Sequence, residues 1–221
     1  MSDPAHSYIE VAHYPIAIDR KWSQDELLLA AQKSVCRNTG WPIGVVLTNP
    51  QSSPKPESGG IRAVIPTTSG RFDFWSLDRH GHFYLLRRLE EDSDTRVKPG
   101  SSLYFDTRIW RIAEVLLHCA NLYRVLDVTA ETEIRIQIAH CGIRGRTLTA
   151  SDMMRALSML GRISHENESQ WAKTVPLGTI EPNIGPLVEE ISSELFVLFE
   201  FWKPDPQVSK GVLQAFLNSR L

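Results

Sequence analysis

At 221 residues, with 42% hydrophobic and 23% charged residues, the chain has the composition of an ordinary globular protein and the length of one large domain or two small ones. A net charge of −2 supplies no bulk attraction to nucleic acid or to an anionic membrane, so either would need a local patch. The three cysteines, Cys36, Cys119 and Cys141, make neither a C-x-x-C pair nor a disulfide framework, and no apolar run reaches the roughly 20 residues of a membrane span. The N-terminus has no apolar core of a signal peptide, and the chain reads as cytoplasmic.

Tyr8 to Ile18 reads as an extended segment, bent at Tyr14-Pro15. Ser23-Gln24-Asp25-Glu26 is a capping box, because the serine oxygen and the glutamate side chain each satisfy a helix-terminal amide. The helix it opens runs through Leu27, Leu28, Ala31 and Val35 and stops at Asn38-Thr39-Gly40. Thr48 to Gly60 is rich in Ser, Pro and Gly, cannot bury apolar area and is expected to be a mobile loop. Strands are predicted at Ile61 to Ile65, Arg71 to Leu77 and His82 to Leu89. The last two flank a turn, Asp78-Arg79-His80-Gly81, in which Gly81 can take a positive φ.

Past the charged stretch Glu90 to Lys98, helical spacing of Ile109, Ile112, Ala113, Leu116, Ala120 and Tyr123 predicts a long helix capped by Asp106 or Thr107. Glu133 to His140 alternates as a strand, and Ile143 to Leu148 forms a second, shorter one after the turn at Cys141-Gly142. Ser151 to Leu160 is weakly helical, and Gln170 to Val175 is one more strand. A last strong helix runs from Pro186 through Leu187, Ile191, Leu195, Leu198 and Trp202, and 205–221 can form a short amphipathic helix. Nothing marks a domain boundary or repeat. The reading is one α+β domain over 1–221, a mainly antiparallel sheet with three main helices packed on it.

Gly40-Trp41-Pro42, the hairpin around Phe72-Asp73-Phe74-Trp75 and Phe83-Tyr84-Leu85-Leu86, and Gly142-Ile143-Arg144-Gly145-Arg146 occur in an order that resembles bacterial Schlafen-like proteins, in the region after their AlbA-type domain. The resemblance spans about three-quarters of the chain. It implies an accessory module of a regulatory or anti-phage defence protein. The AlbA-type domain itself, to which the family's nucleotide or nucleic-acid role is attributed, has no counterpart here.

No P-loop, G-x-G-x-x-G or G-x-S-x-G motif is present. His80 and His82 straddle a turn without a third ligand of defined position, which argues for no metal, and no cofactor is implied. His118 reads as a core or boundary histidine. Glu90-Glu91-Asp92 and Glu189-Glu190 read as solvated faces. Two surfaces attract attention. Arg87, Arg88, Arg144 and Arg146, with Arg71 and Arg79 nearby, lie on strands or turns where guanidinium groups could fork onto phosphate, and Trp75, placed by alternation opposite Phe72 and Phe74, could be exposed for stacking. Their bland alternative is pairing with Asp73, Asp78, Glu90 and Glu91. The segment Leu195 to Trp202 is apolar all round, which makes Phe196, Phe199, Phe201 and Trp202 a candidate interface with a second copy or another protein. The leading expectation is a non-enzymatic module acting through protein contacts, with no membrane partner. A phosphate or nucleic-acid binding domain is the alternative, and a hydrolase with an unrecognised site stays open.

Overall fold

Alternation of apolar and polar residues, two to a period, decides most of this architecture. The structure, a computed structural model, describes residues 7–66, 72–151 and 162–219. The strands in chain order are β1 (Tyr8–Pro15), β2 (Lys55–Glu57), β3 (Gly60–Pro66), β4 (Phe72–Asp78), β5 (Phe83–Arg88), β6 (Ser102–Tyr104), β7 (Glu133–Cys141), β8 (Thr147–Thr149) and β9 (Glu168–Pro176). Seven of them form one sheet in the order β2-β3-β4-β5-β1-β7-β9, every neighbour antiparallel. β6 and β8 make a separate short parallel pair. The expected strand at 143–148 therefore narrows to Thr147–Thr149, and the loop expected at 48–60 contains β2. Arg71 and the segment 152–160 lie outside the described residues.

The predicted hairpin is present. Gly81 sits at φ 79° and its amide donates to the Asp78 carbonyl, while the Asp78 carboxylate accepts from the amides of His80 and His82. A Cβ at Gly81 would stand 2.9 Å from the Trp22 ring, so both the turn and the packing require glycine.

Helix α1 (Gln24–Ser34) carries both arms of its capping box: the Glu26 amide donates to Ser23 Oγ at 3.2 Å and the Ser23 amide to Glu26 Oε2 at 2.7 Å. Helix α2 (Phe105–Val125) is enclosed, with the sheet on one side and α1, α4 and α5 on the others. The short α3 (Leu177–Ile180) leads into α4 (Ile184–Phe196), and α5 (Pro206–Asn218) closes the chain. α5 starts at a cap: Asp205 accepts from the Gln207 amide, and Pro206 occupies the first helical position. α4 stops at Phe196, short of the Trp202 expected from its apolar run. Glu200 and Phe201 take positive φ, and the chain folds back so that the Trp202 ring lies 5.3 Å from Phe196 and 5.4 Å from Phe105. No helix among the described residues is long and apolar enough to cross a membrane.

Register then sorts the buried face into cross-sheet rows. One row is Ala63, Trp75, Leu85, Val11, Ile138 and Trp171, and all six are buried. The row at one end is Ile65, Asp73, Arg87, Ile9, His140 and Ser169, equally buried but largely polar. The first turns of α2, bringing Arg108 and Arg111, are buried with it. The core thus has an apolar body and a polar end.

Candidate functional site

Buried charge concentrates at that polar end. Arg87 donates through Nε and Nη2 to Asp73 Oδ2 at 3.0 and 2.6 Å, and caps the carbonyls of Trp41 and Pro42. A 3-10 turn at Glu90–Ser93 then presents three acids in succession. Arg108 Nη2 donates to Glu90 Oε2 and Glu91 Oε2 at 2.5 and 3.1 Å. Arg111 reaches Glu90 through Nε at 2.6 Å, and through Nη1 reaches Glu114 at 2.6 Å and the Trp41 carbonyl at 2.8 Å. Arg146 Nη2 is bidentate on Asp92 at 2.8 Å to each oxygen, and Ser7 bridges the two side chains. Glu91 and Asp92 are 1% and 7% exposed, which corrects the expectation of a solvated acidic face. A carboxylate can leave water when guanidinium groups replace its hydration, and here each acid of the run has one.

The sequence-selected arginines do not meet on one surface. Arg87 and Arg146 are buried, with donors committed to Asp73, Asp92 and backbone carbonyls. Arg144 is exposed on the turn after β7, and Arg88 is half-buried on the opposite face of the sheet from Arg87. For Arg87 the bland reading, pairing with Asp73, is the geometry found. Trp75 is fully buried and donates from Nε1 to the Val45 carbonyl at 2.9 Å. The two faces of β4 are therefore the reverse of the expectation: Phe72 and Phe74 lie on the open face and Trp75 points into the core. Alternation separates a strand's residues into two sets but does not say which set is covered when both hold aromatics. Of the candidate interface, Phe196, Phe199 and Trp202 are packed inside this chain, and Phe201 alone is exposed, at 83%.

The buried histidines form a second polar feature. His118 Nε2 lies 3.2 Å from Ser34 Oγ, His118 Nδ1 3.4 Å from His13 Nε2, and His13 Nδ1 2.8 Å from the Tyr123 hydroxyl. That hydroxyl is also 2.7 Å from the His13 carbonyl and 3.0 Å from that of Gly81, so its proton goes to a carbonyl and its oxygen accepts from His13. Burial pushes both imidazoles below the usual histidine range, His118 down to about 3, so each carries one proton and the chain runs in one direction from Ser34. Among the described residues no cluster of histidine, cysteine and carboxylate could hold a metal ion. Burial raises the thiols of Cys36 to about 12 and Cys141 to about 11, and Cys119 well above its ordinary value, which leaves little thiolate near neutral pH.

Outside the polar end the surface opens into a cleft of about 810 Å³. Its walls come from the segment after α1 (Thr39), the loop after the 3-10 turn (Asp94 and Arg96), α2 (Thr107, Trp110 and Arg111) and α5 (Phe216). A second depression of about 300 Å³ shares Gly40, Glu90 and Arg111 with it. α5 is fastened over the cleft's side by Trp110 Nε1 to the Val212 carbonyl and by Asn38 Nδ2 to the Phe216 carbonyl. Its acids are already engaged. Burial would raise Glu90, but Arg111, Arg108 and Arg87 outweigh it and hold the carboxyl well below its usual range. Arg96, forked onto Asp94, does the same there, and Tyr104 donates to Asp94 as well. Donors are what remain. Arg111 Nη2 and the Thr107 hydroxyl make no hydrogen bond among the described residues, and Ser93 Oγ is buried without a partner. The sequence pointed to arginines but not to Arg111, because helical spacing marks it only as a neighbour of the apolar stripe.

Compared with protein-family models, with curated proteins and with solved structures, the chain matches none. The resemblance to the Schlafen-like accessory region rests on the quoted motifs alone.

Proposed function

We propose that this chain is a non-enzymatic binding module that takes a small, largely uncharged ligand in the cleft between α2, α5 and the loop after the 3-10 turn. The observation that carries this reading is the unequal supply of hydrogen-bonding groups. The carboxylates are spent on guanidinium groups, whereas Arg111 Nη2 and the Thr107 hydroxyl still have bonds to give. Such a cleft favours acceptors. Two arginines, Arg96 and Arg111, face two acids, Glu90 and Asp94, so the local charge balances and gives a multiply charged anion little advantage. Trp110, Tyr104 and Phe216 add apolar wall, and the volume lies in the usual range of small-molecule sites. Binding is favoured over proton-transfer catalysis because the cleft's carboxyls sit far from neutral pKa. The Schlafen-like resemblance would set such a module in a regulatory or defence protein.

The test is thermal unfolding of the full chain against a metabolite panel that includes nucleosides, primary amides and inorganic phosphate. A ligand at a hundred times its Kd stabilises by about 2.7 kcal/mol, a readily measured rise in Tm. Acceptor-bearing neutral compounds are expected to give that rise, to lose it in Thr107→Trp, which fills the cleft from its half-buried wall, and to keep it when salt is raised. A response confined to phosphate or oligonucleotides, collapsing with salt, would establish the anion-binding alternative instead.

A further inference from the structure

The two edges of the seven-stranded sheet are built differently. β2 is three residues long, exposed throughout, and contains Pro56 between Lys55 and Glu57, with Glu57 held by Arg62 at 2.7 Å. Short length, charge and proline are the usual means by which a sheet edge is closed to further strands. β9 is neither short nor broken by proline along its central run, and its one central charge, Lys173, is paired. It is nine residues long, pairs with β7 over its whole length, and carries its one proline at the last position. Among the described residues it pairs with no other strand. Its single cation, Lys173, is turned to the inner face and held by Glu190 of α4 at 2.7 Å, beside Trp171, whose Nε1 donates to the same glutamate at 3.0 Å.

That pairing places α4 alongside the edge. α4 exposes Glu189, Glu190 and Glu194, and β9 exposes Glu168, so the ledge is acidic with Lys173 as the one opposing charge on these two elements. On the open face a depression of about 370 Å³ reaches inward from β9, floored by Ala12, Ala139 and Ala172 and flanked by Glu10 and Glu168. Ala172 is the small residue at its outer side, with Gln137 behind it in the same cross-strand row and Gln170 beside it on β9. We infer that β9 receives an extended, basic peptide segment of another protein as an eighth strand. Its backbone continues the ladder, and its cationic side chains meet Glu168 beside the depression and the exposed glutamates of α4. A second copy of this chain is the less suitable occupant. Two-fold pairing of β9 with β9 would bring two acidic α4 faces together, and like charges brought into register repel. The inference is independent of the ligand cleft, which lies against α5 and the first turns of α2.

Selection of random decapeptides displayed on phage against the full chain tests it. The enriched peptides are expected to be basic with alternating character, and a synthetic copy is expected to bind with micromolar Kd. N-methylation of every second residue of that peptide, which blocks a ladder but keeps the charge, is expected to weaken binding at least tenfold. Ala172→Trp, a change at an exposed position that closes the depression, is expected to do the same with unchanged far-ultraviolet circular dichroism. No enrichment, enrichment of acidic peptides, or equal binding of the N-methylated peptide overturns the inference. So does a concentration-dependent dimer, seen by sedimentation, that Ala172→Trp abolishes.

Discussion

A guanidinium withdrawn from water keeps its charge, so every buried arginine here dictates what stands beside it. Arg146 is 1% exposed and uses Nε and Nη1 on the carbonyls of Gly142 and Ser102 while Nη2 holds Asp92. Removing one partner of such a pair leaves the other buried and uncompensated. Arg146→Met is therefore expected to cost about 3–5 kcal/mol, read as a lower urea midpoint, and Asp92→Asn in the same chain to restore part of the loss. An unchanged midpoint would show that the pair contributes nothing. The histidines act in the opposite sense, because the fold keeps them neutral. Burial, reinforced by each one's cationic or imidazole neighbour, lowers His13 well below 6.5 and brings His118 and His140 to about 3. In the unfolded chain they take up protons near pH 6.5, whereas in the fold they do not. Their contribution is thus complete above about pH 6.5 and declines toward pH 3, by up to about 1.4 kcal/mol per pH unit for each. Glu90, depressed in the fold, adds a loss of the same sign that begins below about pH 4.5, the value of the unfolded carboxyl. Urea midpoints are expected to be flat from pH 8 to 7 and to fall below 6.5; a rise over that lower range contradicts neutral burial.

At the scale of elements, the segment after α4 shows how position overrides composition. Phe199 and Phe201 are two residues apart in one apolar run, yet Phe199 is fully buried and Phe201 is 83% exposed. The positive φ at Glu200 and Phe201 ends helical spacing, so the two rings no longer share a face. Phe199→Asp is expected to destabilise by about 3 kcal/mol or more, since it puts an unpaired carboxylate into the core, whereas Phe201→Asp is expected to stay within about 0.5 kcal/mol. Equal effects in thermal unfolding would mean that the turn is absent in solution. Ser23 and Asp205 behave more simply. The Ser23 cap was legible because a cap depends on a few adjacent atoms; Asp205, which the sequence reading did not single out, caps α5 in the same way.

For the whole molecule, the sequence by itself determined the class and most of the elements. The alternation of β7, the hairpin turn at Gly81 and the stripe along α2 are local periodicities, and an antiparallel sheet with helices on it follows from them. It also singled out arginines, but did not say which of them are buried, as Arg87 and Arg146 are. Which face of β4 is covered, whether Glu91 and Asp92 meet water, and that Arg111 rather than Arg144 and Arg146 lines the cleft were settled only when β5, the 3-10 turn and α2 met. The reason is physical. Periodicity is written within one segment, but burial of a charge depends on an opposite charge arriving from another. Arg108 needs Glu90 and Glu91, and Arg146 needs Asp92, each from a distant part of the chain. The β9 edge, unpaired among the described residues, belongs with these, since only the strand order leaves that strand outermost.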